Sequence, residues 1–140
     1  MRRAALVLLA LALAGCGSGD EKQTQPPTQE QAADADATQV RDLSTRYLDA
    51  FGRLDLKAMC ATLSPRSRER LSRRAGSCPQ SFRSLRPVQV RYLKYLLPNQ
   101  VRVRGDRATV TVTPNGTGDD VALTLTAVKL GGRWWIELQQ

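Results

Sequence analysis

The chain of 140 residues contains no histidine. Without imidazole, Cys60 and Cys78 cannot complete the usual four-ligand zinc site, and the commonest general base is missing. Acids are scarce where bases crowd: between residues 66 and 107, twelve Lys and Arg residues meet only Glu69 and Asp106. Long apolar runs are missing too. Residues 4–14 are eleven Ala, Leu and Val residues, about 16 Å as a helix against a hydrocarbon core of roughly 30 Å, so a permanent transmembrane helix is not expected. Residues 17–37 lack aromatic and large aliphatic side chains, and with Pro26-Pro27 in their middle they are expected to form a disordered tether.

What is present begins with Met1-Arg2-Arg3 ahead of that apolar run, then Gly15-Cys16. Positive residues, a short apolar core and small residues before a cysteine make a secretory signal over residues 1–15. Leu13-Ala14-Gly15-Cys16 resembles the lipobox of bacterial lipoproteins. That resemblance implies cleavage before Cys16, a diacylglyceryl thioether on its sulfur and an acylated amine. Such chains would hold the protein to a membrane on its extracytoplasmic side. Residues 16–37 then form the lipidated tether, and residues 38–140 form one domain.

The formal charge of +8 would make nucleic acid the first partner to consider in a cytoplasmic protein. Export removes that expectation. Anionic lipid headgroups or anionic envelope polymer remain as partners for the arginines, beside the plainer reading of a solvated helix face and strand edges. In an exported chain Cys60 and Cys78 are free to oxidise, and a disulfide between them is expected.

Within the domain, Val40, Leu43, Tyr47, Ala50, Phe51 and Leu54 keep the three-and-four spacing of an amphipathic helix. Asp55 caps a second helix carrying Leu56, Met59, Cys60 and Leu63, and Ser64-Pro65 opens a third that stops at Gly76. A short turn runs through Phe82 and Leu85, and Pro87 is expected to close the helical half. From Val88 the period is read as two, with a bend at Pro98-Asn99 and turns at Gly105-Asp106 and Gly131-Gly132. Those turns set Val103 opposite Ala108, Arg102 opposite Thr109, Val128 opposite Trp135, Ala127 opposite Ile136 and Leu125 opposite Leu138. Val101, Val103, Ala108, Val110, Val112, Leu123, Leu125, Trp134, Ile136 and Leu138 then share the inner face. Arg102, Arg104, Thr109, Thr111, Thr124, Thr126 and Trp135 take the outer one, and no Asp or Glu lands inside.

Helices followed by an antiparallel meander make an α+β domain, with N-terminal helices packed on a curved sheet. The element order, residues 47–55 ahead of the second helix, and the ending Gly131-Gly132-Arg133-Trp134-Trp135-Ile136 resemble the NTF2-like superfamily of cone-shaped domains. Small exported lipoproteins are among its members. Ketosteroid isomerases and polyketide cyclases in that superfamily hold a carboxylate base, with an acid or histidine, in the sheet-helix cavity. Those roles find no matching positions here, so no catalytic residue is assigned and a cyclase or isomerase is the alternative reading. Tyr47, Tyr92 and Tyr95 are the candidates to hydrogen-bond a ligand in such a pocket. The resemblance also implies pairing through the outer sheet face, where Arg102, Arg104, Val128 and Trp135 form the candidate interface of a homodimer. No cofactor motif is found. The one tight acidic pair, Asp119-Asp120, is weaker than any calcium-loop pattern, and no metal is expected. The function expected is a lipid-anchored, non-enzymatic envelope domain that binds a protein or a small hydrophobic ligand.

Overall fold

A computed structural model of the chain describes residues 28–114 and 123–139. Cys16, the expected site of lipid attachment, and the Asp119-Asp120 pair lie outside the described residues.

The first helix, α1 (Gln29–Gly52), begins well before the boundary expected at residue 38. Thr28 and Gln31 form a capping box. The Gln31 N–H donates to the Thr28 hydroxyl at 3.4 Å, and the Thr28 N–H donates to the Gln31 side chain at 3.0 Å. Ala32, Ala33, Ala35 and Ala37 follow, the best helix formers, so residues 29–37 need no buried face to be helical. Residues 29–37 are therefore helix and not tether, because local propensity and the cap suffice where burial is small.

Helix α2 (Leu56–Thr62) is capped by Asp55, whose carboxylate accepts from the Ala58 N–H at 3.0 Å. Helix α3 (Pro65–Ala75) starts with Ser64 as cap and proline in its first turn, and Gly76 ends it at φ 84°. A 3-10 turn (Pro79–Phe82) leads to the region where the period-two reading fails. Residues read as a strand from Val88 form helix α4 (Pro87–Val90) and a second 3-10 segment (Arg91–Tyr95). Pro87 therefore opens a helix and does not close the helical half. The buried residues there are Val90, Leu93 and Leu96, three apart, while Val88 and Tyr92 are exposed. Three-residue spacing is the repeat of a 3-10 helix, whereas alternation would have buried Val88 and Tyr92 with Val90.

The sheet is a four-stranded antiparallel meander in the order β1-β2-β3-β4, comprising β1 (Leu96–Arg104), β2 (Arg107–Pro114), β3 (Leu123–Leu130) and β4 (Arg133–Glu137). Val103 faces Ala108, Arg102 faces Thr109, Val128 faces Trp135 and Ala127 faces Ile136, as the turn positions predict. The expected pair of Leu125 with Leu138 falls one residue past the last ladder pair, Thr126 with Glu137. A register irregularity between Pro98 and Gln100 marks the bend.

Helix α1 lays Val40, Leu43, Tyr47 and Leu48 on the inner face, where they join Ala108, Val110, Val112, Ala127, Trp134 and Ile136 in the core. The free edge of β4 is covered by the junction of α2 and α3. Leu63 forms a parallel bridge with Ile136, and the Ser64 N–H donates to the Ile136 carbonyl at 2.9 Å. A disulfide joins Cys60 to Cys78, closing a loop around α3.

Candidate functional site

An apolar hollow on the helix side of the sheet has a volume of about 350 Å³, within the usual range of small-molecule sites. Three elements build it. Helix α1 contributes Tyr47, Leu48 and Phe51. The helical segment of residues 87–95, preceded by Leu85, contributes Gln89, Val90, Tyr92 and Leu93. Strand β3 closes it with Leu123 and Leu125, which lie half-buried on the inner face.

Tyr47 is the buried polar residue of this wall. Its ring packs on Phe51 with centroids 5.8 Å apart, and Phe51 in turn meets Phe82 at 5.6 Å. Burial pushes its phenol up to about 12, so the hydroxyl keeps its proton at any physiological pH. It can donate a hydrogen bond to a ligand, but it cannot serve as a base near neutrality. Tyr92 is half-exposed at the rim. Tyr95 does not join them; it points to solvent with the Lys94 ammonium 4.9 Å above its ring. No known protein-family model matches the chain, and no curated protein does either. The reading of this cavity therefore rests on its geometry.

Among the described residues no strand carboxylate lies on the inner face of the sheet, but helix α1 brings one against it. Asp36, placed by sequence in the tether, accepts hydrogen bonds from Lys129 Nζ at 2.8 Å and from the Trp134 indole N–H at 2.9 Å. The Lys129 ammonium also sits 5.7 Å above the Trp134 ring. Asp36 is not positioned as a base for the cavity. It stands eleven positions before Tyr47 on α1, about 16 Å along the helix axis. The bonds from Lys129 and Trp134 hold its carboxyl below the ordinary value of 3.8. Its role is to clamp the first turns of α1 to β3 and β4.

Because the folded protein favours the ionised carboxyl, this clamp is complete above pH 3.8 and is lost as pH falls through the depressed value below it. Its side chains are only 17% and 27% exposed, so Asp36→Ala should cost roughly 1–2 kcal/mol at pH 7. In urea unfolding followed by tryptophan fluorescence, the gap between variant and parent should narrow below pH 3.8. A gap that stays constant with pH would show that the ionised carboxyl does not carry the clamp, because helix propensity favours alanine at this position.

The outer face holds Arg102, Arg104, Thr109 and Thr124 in solvent, with Val128 and Trp135 half-buried. Trp135 lies between two guanidiniums, Arg133 at 4.2 Å from its ring centroid and Arg68 of α3 at 5.6 Å. Glu137 lies on this outer face opposite Thr126, and there it meets the start of α3, where the Ser64 and Ser67 hydroxyls donate to it. The Ser67 hydroxyl accepts from the Leu138 N–H at 3.1 Å.

Sequence reasoning brought Tyr47 and Tyr92 forward but missed Leu85, Gln89, Val90 and Leu93 as cavity wall. The three-residue spacing of Val90, Leu93 and Leu96 after Arg86-Pro87 was the available signal. Nothing local marks Ser64 and Ser67 as partners of Glu137, about seventy residues away, beyond their roles at the start of α3.

Proposed function

We propose that this chain is a lipid-anchored, extracytoplasmic domain of NTF2-like type that holds a small apolar ligand in the helix-sheet cavity without transforming it. The observation that carries the reading is the composition of the cavity wall. Nine of its ten residues are Leu, Val, Phe or Tyr, Gln89 is the tenth, and the buried hydroxyl of Tyr47 remains protonated. Such a wall favours an apolar molecule with one oxygen able to accept a hydrogen bond from Tyr47. A cyclase or isomerase of this shape would need a carboxylate facing the ligand. Asp36, on the same side of the sheet, is committed to Lys129 and Trp134. The signal-like residues 1–15 and the lipobox-like Cys16 support placement at a membrane surface.

The neutral fluorophore N-phenyl-1-naphthylamine provides the test. It should bind saturably with enhanced emission, and Leu125→Trp, which puts an indole into the hollow, should weaken binding at least tenfold with an unchanged circular dichroism spectrum. No emission change with the parent chain, or equal binding by a folded Leu125→Trp variant, would sink the cavity reading.

A further inference from the structure

We propose that a second site lies on the opposite face of the sheet, a groove between α3 and β2–β3 that takes one anionic phospholipid headgroup. The proposal does not depend on the cavity. The groove has a volume of about 390 Å³ and combines two features. One is a set of cations that, among the described residues, have no carboxylate within ion-pair distance, Arg70 donating to the Leu138 carbonyl. Arg66 and Arg70 from α3 and Arg107 from β2 line it, and the ion pairs among the described residues join Arg53 to Asp49, Arg73 to Glu69 and Lys129 to Asp36 instead. Arg107 also stands directly opposite Arg104 in the β1–β2 ladder, a like-charge pairing that adds to the positive field at this end of the groove. Glu137, the carboxylate in the lining, already accepts from the Ser64 and Ser67 hydroxyls.

The other feature is an apolar floor, Val128 and Leu130 of β3, with Leu130 48% exposed. A free phosphate would satisfy the guanidiniums and leave that floor in water. A wholly apolar ligand would leave the guanidiniums unmatched. A phosphodiester carrying glycerol and the first methylenes of an acyl chain fits both, because guanidinium forks suit phosphate oxygens and the floor suits CH₂ groups. A second copy of the chain is disfavoured as occupant, since it would bring the same arginines into contact.

The probes are dihexanoyl phosphatidylglycerol below its micellar concentration, dihexanoyl phosphatidylcholine and inorganic phosphate, each titrated into the full chain and followed by tryptophan emission. The anionic lipid should bind saturably and at least tenfold more tightly than either other probe. Arg66→Gln/Arg107→Gln, two exposed positions, should weaken it at least tenfold, and Leu125→Trp should leave it unchanged. Equal binding of inorganic phosphate would reduce the groove to a simple anion site, and equal binding of phosphatidylcholine would deny the arginines a role. An unaffected arginine variant, displacement of N-phenyl-1-naphthylamine by the lipid, or binding to a polyphosphate chain without binding to the lipid would each overturn the proposal.

Discussion

Replacing both Cys60 and Cys78 with serine lowers the unfolding free energy by about 3 kcal/mol, the chain-entropy value for a loop of this length. The two cysteines are 18 residues apart and both are buried, one at the end of α2 and the other ahead of the 3-10 turn. Between them lies α3, a helix of eleven residues whose one buried residue is Ser67. So little apolar surface cannot hold a helix in place by burial. Besides the disulfide, α3 depends on a few polar ties: Ser64 and Ser67 to Glu137, and the Arg70 guanidinium to the Leu138 carbonyl. Urea titration of the double variant and of the reduced parent chain should give the same loss. A variant within 1 kcal/mol of the parent, or a reactive thiol in the unfolded and unreduced chain, would show that the bridge does not carry α3. The same loss should loosen Arg66 and Arg70, so phospholipid binding at the groove is expected to weaken along with stability.

Gly52→Ala should destabilise the fold, the opposite of what helix propensity alone predicts. Glycine inside a helix costs about 1 kcal/mol relative to alanine, so the substitution in α1 would ordinarily help. Here a Cβ would lie 2.7 Å from the backbone nitrogen of Lys94 and 3.1 Å from its Cβ. The clashing atom belongs to the main chain of the 3-10 segment and cannot rotate away. Overpacking of this kind costs roughly 1–3 kcal/mol. Moving that segment would also displace Tyr92 and Leu93 from the cavity wall, so naphthylamine binding should weaken with stability. A variant at least as stable as the parent would mean that the approach of residue 94 to α1 is looser than this geometry.

The disulfide was legible in the sequence, whereas the approach of Lys94 to Gly52 joins segments some forty residues apart, and there the sequence pattern reached its limit. Asp55 and Ser64-Pro65 marked the starts of α2 and α3, Gly76 marked an end, and the two glycine turns set which strand residues face one another. Each is a local signal, carried by a side chain that satisfies a nearby backbone group or by a φ that glycine tolerates. The misread segments had weaker or conflicting local signals. Residues 29–37 have helix-forming composition but little to bury, and residues 88–95 alternate in hydrophobicity while folding with a three-residue repeat.

The sequence alone determined the α+β order, the caps of α2 and α3, the pairing across the two glycine turns and the pairing of Cys60 with Cys78, because those depend on neighbours along the chain or on a count of two cysteines. Only the tertiary structure decided that Asp36 would grip Lys129 and Trp134 across the sheet. It also set Glu137 against the serines of α3 and left Arg66, Arg70 and Arg107 around one groove. Those arrangements follow from how the helices are seated on the sheet, which periodicity does not encode.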